Sequence, residues 1–135
     1  MEKGFHAYEA ALRLMVGLRP LHDAPRVHDR DLADQLRRAG SSVVLNLAGG
    51  SGSKSAAIGR RLRWSLRYPE GAGRRGRDRM QFYRVAQGSA REVRAALDVA
   101  KAWGEIAPAL EVEAMLDRLL GMLWRLTHPR PGPGP

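Results

Sequence analysis

Apolar residues recur at steps of three and four along four stretches of the chain, which is the spacing of one face of an α-helix. Over residues 5–21 two adjacent apolar rows predict a first helix with a wide buried face. Arg19–Pro20 weakens the end of this helix, and residues 22–25 are predicted to form a loop. The two rows are Tyr8, Leu12 and Met15, and Ala7, Ala11, Leu14, Leu18 and Leu21.

A second helix is predicted to begin at Asp29 or Asp31, because a carboxylate suits a helix N-terminus. It ends at the glycine-rich residues 49–52. Arg37 and Arg38 lie on a polar stripe opposite its apolar face. The apolar face consists of Leu32, Leu36, Ala39, Val43 and Leu47.

A third helix is predicted from about Asp78 to Trp103, with Gly104 as its stop. Its apolar and small residues alternate steps of four and three without a break, as in the seam of a helical bundle. The seam consists of Phe82, Ala86, Ser89, Val93, Ala96, Ala100 and Trp103. Small residues on this helix would let a neighbouring helix approach closely, and these are Ala86, Gly88, Ser89, Ala96 and Ala100.

A fourth helix is predicted with Pro108 in its first turn and its end near Thr127. Its apolar stripe consists of Val112, Met115, Leu119, Met122 and Leu126. The proline- and glycine-rich residues 128–135 cannot continue the helix, so they are predicted to form a disordered or extended tail.

Four helices with short outer connections and one long middle connection predict an all-α protein, an antiparallel four-helix bundle over residues 1–127. Residues 53–79 form a basic insertion between helices 2 and 3. Within it, residues 61–68 alternate polar and apolar positions, which favours an extended or hairpin-like segment. A continuation of helix 2, with Ile58, Leu62 and Leu66 on one face, is the alternative.

Charge is concentrated in one part of the chain. The formal net charge is +9, and residues 54–79 contribute +7 of it through nine Lys/Arg and two Asp/Glu residues. This basicity predicts an anionic partner, with nucleic acid favoured over a membrane surface.

The 135 residues contain no cysteine, which excludes thiolate chemistry and fits the cytoplasm. We find no signal peptide and no stretch of membrane-spanning length, so the predicted location is cytoplasmic.

The residues "NLAGGSGSKS", 46–55, come close to a phosphate-binding loop but do not match it. That loop requires glycine directly before lysine, whereas Ser53 separates Gly52 from Lys54 here. It also follows a buried strand, whereas these residues follow a predicted helix. A nucleotide site is therefore not expected.

Catalytic and metal-binding patterns are not found either, so the chain is predicted not to be an enzyme and to use no cofactor. His6 and Glu9 make one His–carboxylate pair a turn apart, which is more typical of a solvated surface than of a metal site. The other acidic pairs, Glu92 with Asp98 and Glu111 with Glu113, fall on outward-facing positions. Packing explains Ser41, Ser42 and Ser89, and Trp103 and Trp124 are expected to be core or interface anchors.

The basic insertion is the predicted nucleic-acid site, because arginine contacts phosphate with two hydrogen bonds and aromatic rings stack on bases. The expected phosphate contacts are Arg60, Arg61, Arg63, Arg67, Arg74, Arg75 and Arg77, with Arg37 and Arg38 in second place. Trp64 and Tyr68 would stack on bases or anchor the segment. Two alternatives are a solvated loop that packs through Leu62, Trp64 and Leu66, and a basic helix on anionic lipid, which Gly59 would interrupt.

Several motifs in order resemble a known family. Residues 35–48 contain "QLRRAGSSVVLNLA", residues 82–93 contain "FYRVAQGSAREV", and residues 70–75 contain "EGAGRR". These resemble the small bacterial four-helix-bundle proteins named for the intervening sequence of 23S ribosomal RNA, to which the accessory proteins of diversity-generating retroelements are similar. The resemblance covers roughly residues 5–126. In that family "EGAGRR" would directly follow helix 2, so residues 53–69 are interpreted as an insertion.

The resemblance implies a homo-oligomer, commonly a ring of five subunits, with a basic surface. Retroelement accessory proteins of this type bind RNA and a reverse transcriptase, whereas the activity of most other members is unknown. We therefore expect a basic, oligomeric accessory protein that binds RNA, or in its place DNA. The alternative is a scaffold that docks a protein partner such as a reverse transcriptase.

Overall fold

The computed structural model describes residues 2–26, 29–51 and 75–131. They form four helices, α1 (Glu2–Arg26), α2 (Arg30–Ser51), α3 (Arg75–Ala102) and α4 (Leu110–Thr127), and this described part contains no strand. The predicted all-α fold is therefore confirmed. The competing interpretations of residues 61–68, the near match to a phosphate-binding loop beyond Ser51, and the tail after residue 131 lie outside the described residues.

The four helices form an antiparallel bundle in which each helix packs against its two neighbours in chain order, and α4 closes the square against α1. Helices α2 and α3 form the most extensive of these contacts. Since consecutive helices run in opposite directions, α1 and α3 are parallel and occupy opposite corners. The end of α2, the start of α3 and the start of α1 therefore lie at the same end of the bundle.

The core alternates large and small side chains. Leu14, Leu47, Leu116, Leu119 and Leu123 are almost completely buried. Between them lie buried alanines that let the helices approach closely: Ala7, Ala11, Ala33, Ala39, Ala86, Ala90, Ala96 and Ala100. Most of the predicted seam of α3 is thus confirmed, except at Trp103, and so are the predicted small contact residues, except Gly88. Gly88 is exposed, and Trp103 is 76% exposed because it lies just after the end of α3.

Helix α1 is longer than predicted. The helix runs through Pro20 and the predicted loop at residues 22–25, and it ends only at Arg26. A proline inside a helix leaves the carbonyl four residues earlier without its partner. Here that residue is Val16, which lies with Pro20 on the exposed side of α1, so water can bond its carbonyl. Leu12, which was predicted to be buried, is 41% exposed on this same side.

The observed helix ends confirm two of the other boundaries and correct one. Asp29 caps α2, since its Oδ1 accepts a hydrogen bond of 2.9 Å from the Leu32 backbone N–H, which confirms the earlier of the two predicted starts. Helix α4 begins at Leu110, so Pro108 precedes the helix and does not lie in its first turn. Gly104, with φ of 75°, terminates α3 as predicted.

The buried face of α4 is also rotated relative to the prediction. Its buried residues are Val112, Leu116, Leu119, Leu123 and Thr127, whereas Met115, Met122 and Leu126 are only partly buried. The Thr127 hydroxyl explains the difference, because it lies in the core beside Gln87 Oε1 at 3.2 Å and the Leu123 carbonyl at 2.9 Å. A threonine with these partners can occupy a buried position that an apolar pattern does not predict.

Lys101 on α3 and Glu113 on α4 form a hydrogen-bonded ion pair of 2.6 Å between Nζ and Oε1. The hydrogen bond lowers the pKa of Glu113 and raises the pKa of Lys101. The Glu113 contribution to stability is therefore complete above its unfolded pKa and is lost as pH falls through the lower folded value. The Lys101 contribution is complete below its unfolded pKa and is lost as pH rises through the higher folded value.

We expect Glu113→Gln to reduce the loss of stability between neutral and acidic pH. Thermal unfolding of the wild type and the variant from pH 7 to pH 2 measures this, and their melting temperatures should converge at the acid end. Glu111→Gln is the matched control, because Glu111 is exposed in the same helical turn. Equal pH profiles for wild type and Glu113→Gln would contradict the prediction.

Candidate nucleic-acid interface

Most of the predicted nucleic-acid-binding residues lie outside the described part of the chain. These are Arg60, Arg61, Arg63, Trp64, Arg67, Tyr68 and Arg74. Arg75 and Arg77 belong to the first turn of α3, of which the backbone is described. Arg37 and Arg38 are fully described, and both are exposed as predicted. The described residues therefore show the end of α2 and the start of α3, between which the basic insertion lies. We call its charged part, residues 54–79, the basic segment.

The end of α2 and the start of α3 are held together by two aromatic rings that pack on two glycines. A Cβ at Gly49 would lie 2.7 Å from Phe82 Cε1, and a Cβ at Gly50 would lie 2.5 Å from Tyr83 Cε1. Neither position has room for a side chain. The Tyr83 hydroxyl also donates a hydrogen bond of 3.1 Å to the Gly50 carbonyl. Burial raises the pKa of this hydroxyl, and nearby Arg79 partly opposes the shift.

The sequence pattern does not predict this contact, because it assigns Gly49 and Gly50 only to the end of the helix. Both glycines are helical, and they admit the rings of residues 33 positions later. Adjacent glycines near the end of one helix and adjacent aromatic residues near the start of the next are the signal that could have indicated it.

Helix α3 extends beyond the end of α2. Gly50 faces Tyr83 and α2 ends one residue later at Ser51, whereas α3 already begins at Arg75. At 1.5 Å per residue, the first six residues of α3 project about 9 Å past the end of α2. Arg79, at the base of this projection, is exposed.

Arg37 and Arg38 lie away from this end of the bundle. Thirteen residues separate Arg38 from Ser51, which corresponds to about 20 Å along α2. Two further exposed arginines, Arg84 and Arg91, lie two helical turns apart on α3 and were not among the predicted contacts. Their spacing of seven residues places both on one helix face, and this repeat was visible in the sequence.

The small polar residues proposed for packing form a connected group between α2 and α3. Ser42 Oγ lies 2.7 Å from Ser89 Oγ, and Asn46 Nδ2 donates to both the carbonyl and the hydroxyl of Ser42. The Ser42–Ser89 bond joins the middle of the two helices, and the Asn46 bonds hold Ser42 within α2, whereas the glycine–aromatic contacts join the helix ends. The α2–α3 pair is thus fixed along its length.

The two tryptophans are exposed in the single chain, so neither is a core residue. Trp124 is 52% exposed and stacks on His128, with ring centroids 3.4 Å apart and planes 18° from parallel. Trp103 is at the opposite end of the bundle, just beyond α3. Of the two predicted roles, the core role is therefore wrong for this chain, and the role of interface anchor stays a prediction.

The His6–Glu9 pair has the geometry of an exposed contact. His6 Nδ1 lies 4.0 Å from Glu9 Oε1, and both side chains are largely exposed. Across the described ranges, no three His, Cys, Asp or Glu side chains come together in a way that could hold a metal ion.

Comparison of the chain with protein-family models, with curated proteins and with solved structures finds no match. None of the helices in the described part is long and apolar enough to cross a membrane.

Proposed function

We propose that this four-helix bundle is a non-catalytic, oligomeric accessory protein that binds RNA through its basic segment, residues 54–79. The segment carries +7 of the formal net charge of +9. Arginines interspersed with Trp64 and Tyr68 combine phosphate contacts with aromatic stacking, which suits RNA and other single strands. DNA is the competing ligand, and the cytoplasm is the proposed location.

The observation that carries the proposal is the fixed base of this segment. Phe82 and Tyr83, two turns into α3, pack on Gly49 and Gly50 at the end of α2. The segment is thus joined at both ends to the most extensively packed helix pair of the bundle. Binding then does not have to order these two ends, which lowers its entropic cost.

The start of α3 gives a second, electrostatic argument. A helix N-terminus carries a partial positive charge, so basic residues there are unfavourable for the helix itself. Residues 75–79 nevertheless contain Arg75, Arg77 and Arg79 against the single Asp78. A bound phosphate would relieve this repulsion and would be attracted by the same helix end. An arrangement that costs stability in the free protein is consistent with selection for an anionic ligand.

Self-association would strengthen such binding. The resemblance to the bundle proteins of the 23S intervening sequence implies a ring of subunits, commonly a homopentamer. Several copies of the basic segment on one assembly would contact one RNA together, and each further contact then becomes intramolecular. Weak contacts by one chain would in this way give substantial affinity for the assembly.

The second candidate function is a scaffold that docks a protein partner, such as a reverse transcriptase. Its supporting observation is the apolar surface at the end of the bundle opposite the basic segment. Trp103 is 76% exposed there, and Leu110 is 79% exposed. Large exposed aromatic and aliphatic side chains are common anchors of protein interfaces.

The proposal is tested by binding purified, nuclease-treated protein to a structured RNA, to duplex DNA of equal charge and to anionic vesicles, all in the same low-salt buffer. We expect RNA to be bound most tightly, and vesicles to leave the protein in the lipid-free fraction. Stronger binding to vesicles would favour a membrane surface instead. No RNA binding at low salt would overturn the proposal and favour the scaffold.

A further inference from the structure

Helix α1 carries apolar residues on two opposite faces. Its inner face is the row Ala7, Ala11, Leu14 and Leu18, which is buried in the core. On the opposite side, Phe5, Leu12 and Val16 are 48%, 41% and 66% exposed. These three residues, the outer α1 face, are spaced by seven and four positions, so they form one stripe about 17 Å long. A helix that is apolar on two faces is typical of one that packs on two sides.

Helix α3 has an exposed face of a different kind. Gly88, Ala95, Val99 and Ala102, the outer α3 face, follow the same helical spacing and are all exposed. Their side chains are small, except for Val99, which is 42% exposed. Because α1 and α3 occupy opposite corners of the bundle, the two faces point in opposite directions. Each chain thus presents larger apolar side chains on one side and a shallow apolar surface on the other.

We infer that the outer α1 face of one copy packs against the outer α3 face of the next copy. Contacts between two unlike surfaces of identical chains are heterologous, and they close into a ring when the rotation between copies allows it. The inference rests on one part of the proposed function, the self-association of the chain, and it assigns a surface to that self-association. It does not depend on RNA binding.

The charges beside the two faces favour this pairing and fix its direction. Along α1 the acidic Glu9 comes before Arg13 and Arg19. Along α3 the order is reversed, with the basic residues first, and the residues are Arg84, Arg91, Glu92 and Asp98. In a parallel alignment Glu9 lies beside Arg91 and Glu92, and Arg13 and Arg19 lie toward Asp98, whereas an antiparallel alignment brings Arg13 and Arg19 toward Arg91 and Arg84. Asp23, exposed on the same side of α1, lies beyond these pairs in the parallel alignment. Asp98 also lies 3.6 Å from Lys101 Nζ within its own chain.

Parallel alignment is also what a ring requires. The two helices run in the same direction within one bundle, so copies related by rotation about an axis along the bundle bring α1 and α3 together in parallel. The sign order of the charges and the direction of the helices thus agree, although they are independent observations. Opposite charges across such a contact mainly set its register and partner.

Two single variants test the inference, because each alters one face only. Val16→Asp places a carboxylate on the outer α1 face, and Val99→Asp does so on the outer α3 face. Both residues are exposed, so the isolated bundle should still fold, which circular dichroism checks. Light scattering should show the wild type as an oligomer and each variant as a single chain of 14.9 kDa.

Mixing the two variants gives the decisive readout. Each retains one intact face, so an equimolar mixture should form a heterodimer and no larger species. Leu110→Asp is the matched control, since it adds the same charge at an exposed apolar residue outside both faces, and it should keep the wild-type mass.

Each of the other possible results of these experiments leads to a different conclusion. An oligomeric wild type with Val16→Asp or Val99→Asp at wild-type mass would overturn the inference and leave self-association intact. Loss of assembly in Val16→Asp alone would indicate pairing of two α1 faces and would also overturn it. A monomeric wild type would overturn the inference and self-association itself.

Discussion

Replacing Gly50 with alanine is expected to lower the free energy of unfolding by about 1–3 kcal/mol, the usual cost of inserting a methyl group into a well-packed site. The new Cβ would lie 2.5 Å from Tyr83 Cε1, which is far inside van der Waals contact. The ring cannot simply move away, because Tyr83 is 6% exposed and its hydroxyl bonds the Gly50 carbonyl. Alanine gains about 1 kcal/mol of helix propensity over glycine, so the clash must exceed this gain.

Gly121→Ala is the matched control for this prediction. Gly121 is also helical, and a Cβ built there would meet only the far end of the flexible Arg125 side chain, at 3.8 Å. We expect this variant to be more stable than the wild type by up to about 1 kcal/mol, because only the helix propensity changes. Urea unfolding of the three proteins at one fixed concentration compares them. Equal effects of the two substitutions would mean that Tyr83 does not restrain Gly50.

Much of the fold could be predicted because the relevant signals are local. The repeats of three and four identify the four helices, and the carboxylate of Asp29 marks the start of α2. The largest differences between the predicted and the observed helices occur where contacts in the folded protein change the local preference of a residue for a helix end or for exposure. Pro20 is tolerated because Val16, whose carbonyl loses its helical partner, lies on the exposed side of α1, and Thr127 is buried because Gln87 on α3 lies beside its hydroxyl. Neither condition can be deduced from neighbours in sequence.

Some features of the candidate interface could likewise be predicted from the sequence, and others could not. Its charge is a property of composition and could be predicted in full, and so could the exposure of Arg37 and Arg38. The contacts of Gly49 with Phe82 and of Gly50 with Tyr83 join residues 33 positions apart. Such contacts depend on how α2 and α3 pack, which a single sequence does not specify.

The second large effect is expected when four arginines of the basic segment, Arg60, Arg61, Arg63 and Arg67, are changed together to serine. If each contacts one phosphate, RNA affinity should fall by roughly 10³-fold near 0.1 M salt, because four counterion-release contributions are lost. The matched control changes four exposed arginines elsewhere, Arg30, Arg118, Arg125 and Arg130, to serine. Both variants lose the same net charge, so a difference between them reports the location of the contacts.

The salt dependence of RNA binding by the wild type and these two variants tests the central claim most directly. Each phosphate contact contributes about −0.7 to −0.9 to the slope of log affinity against log salt concentration. We predict a steep slope for the wild type, a slope smaller by about 3–4 for the variant of the basic segment, and a nearly unchanged slope for the control. Equal slopes for the two variants would show that the bound RNA responds to overall charge, and would contradict a site on residues 54–79.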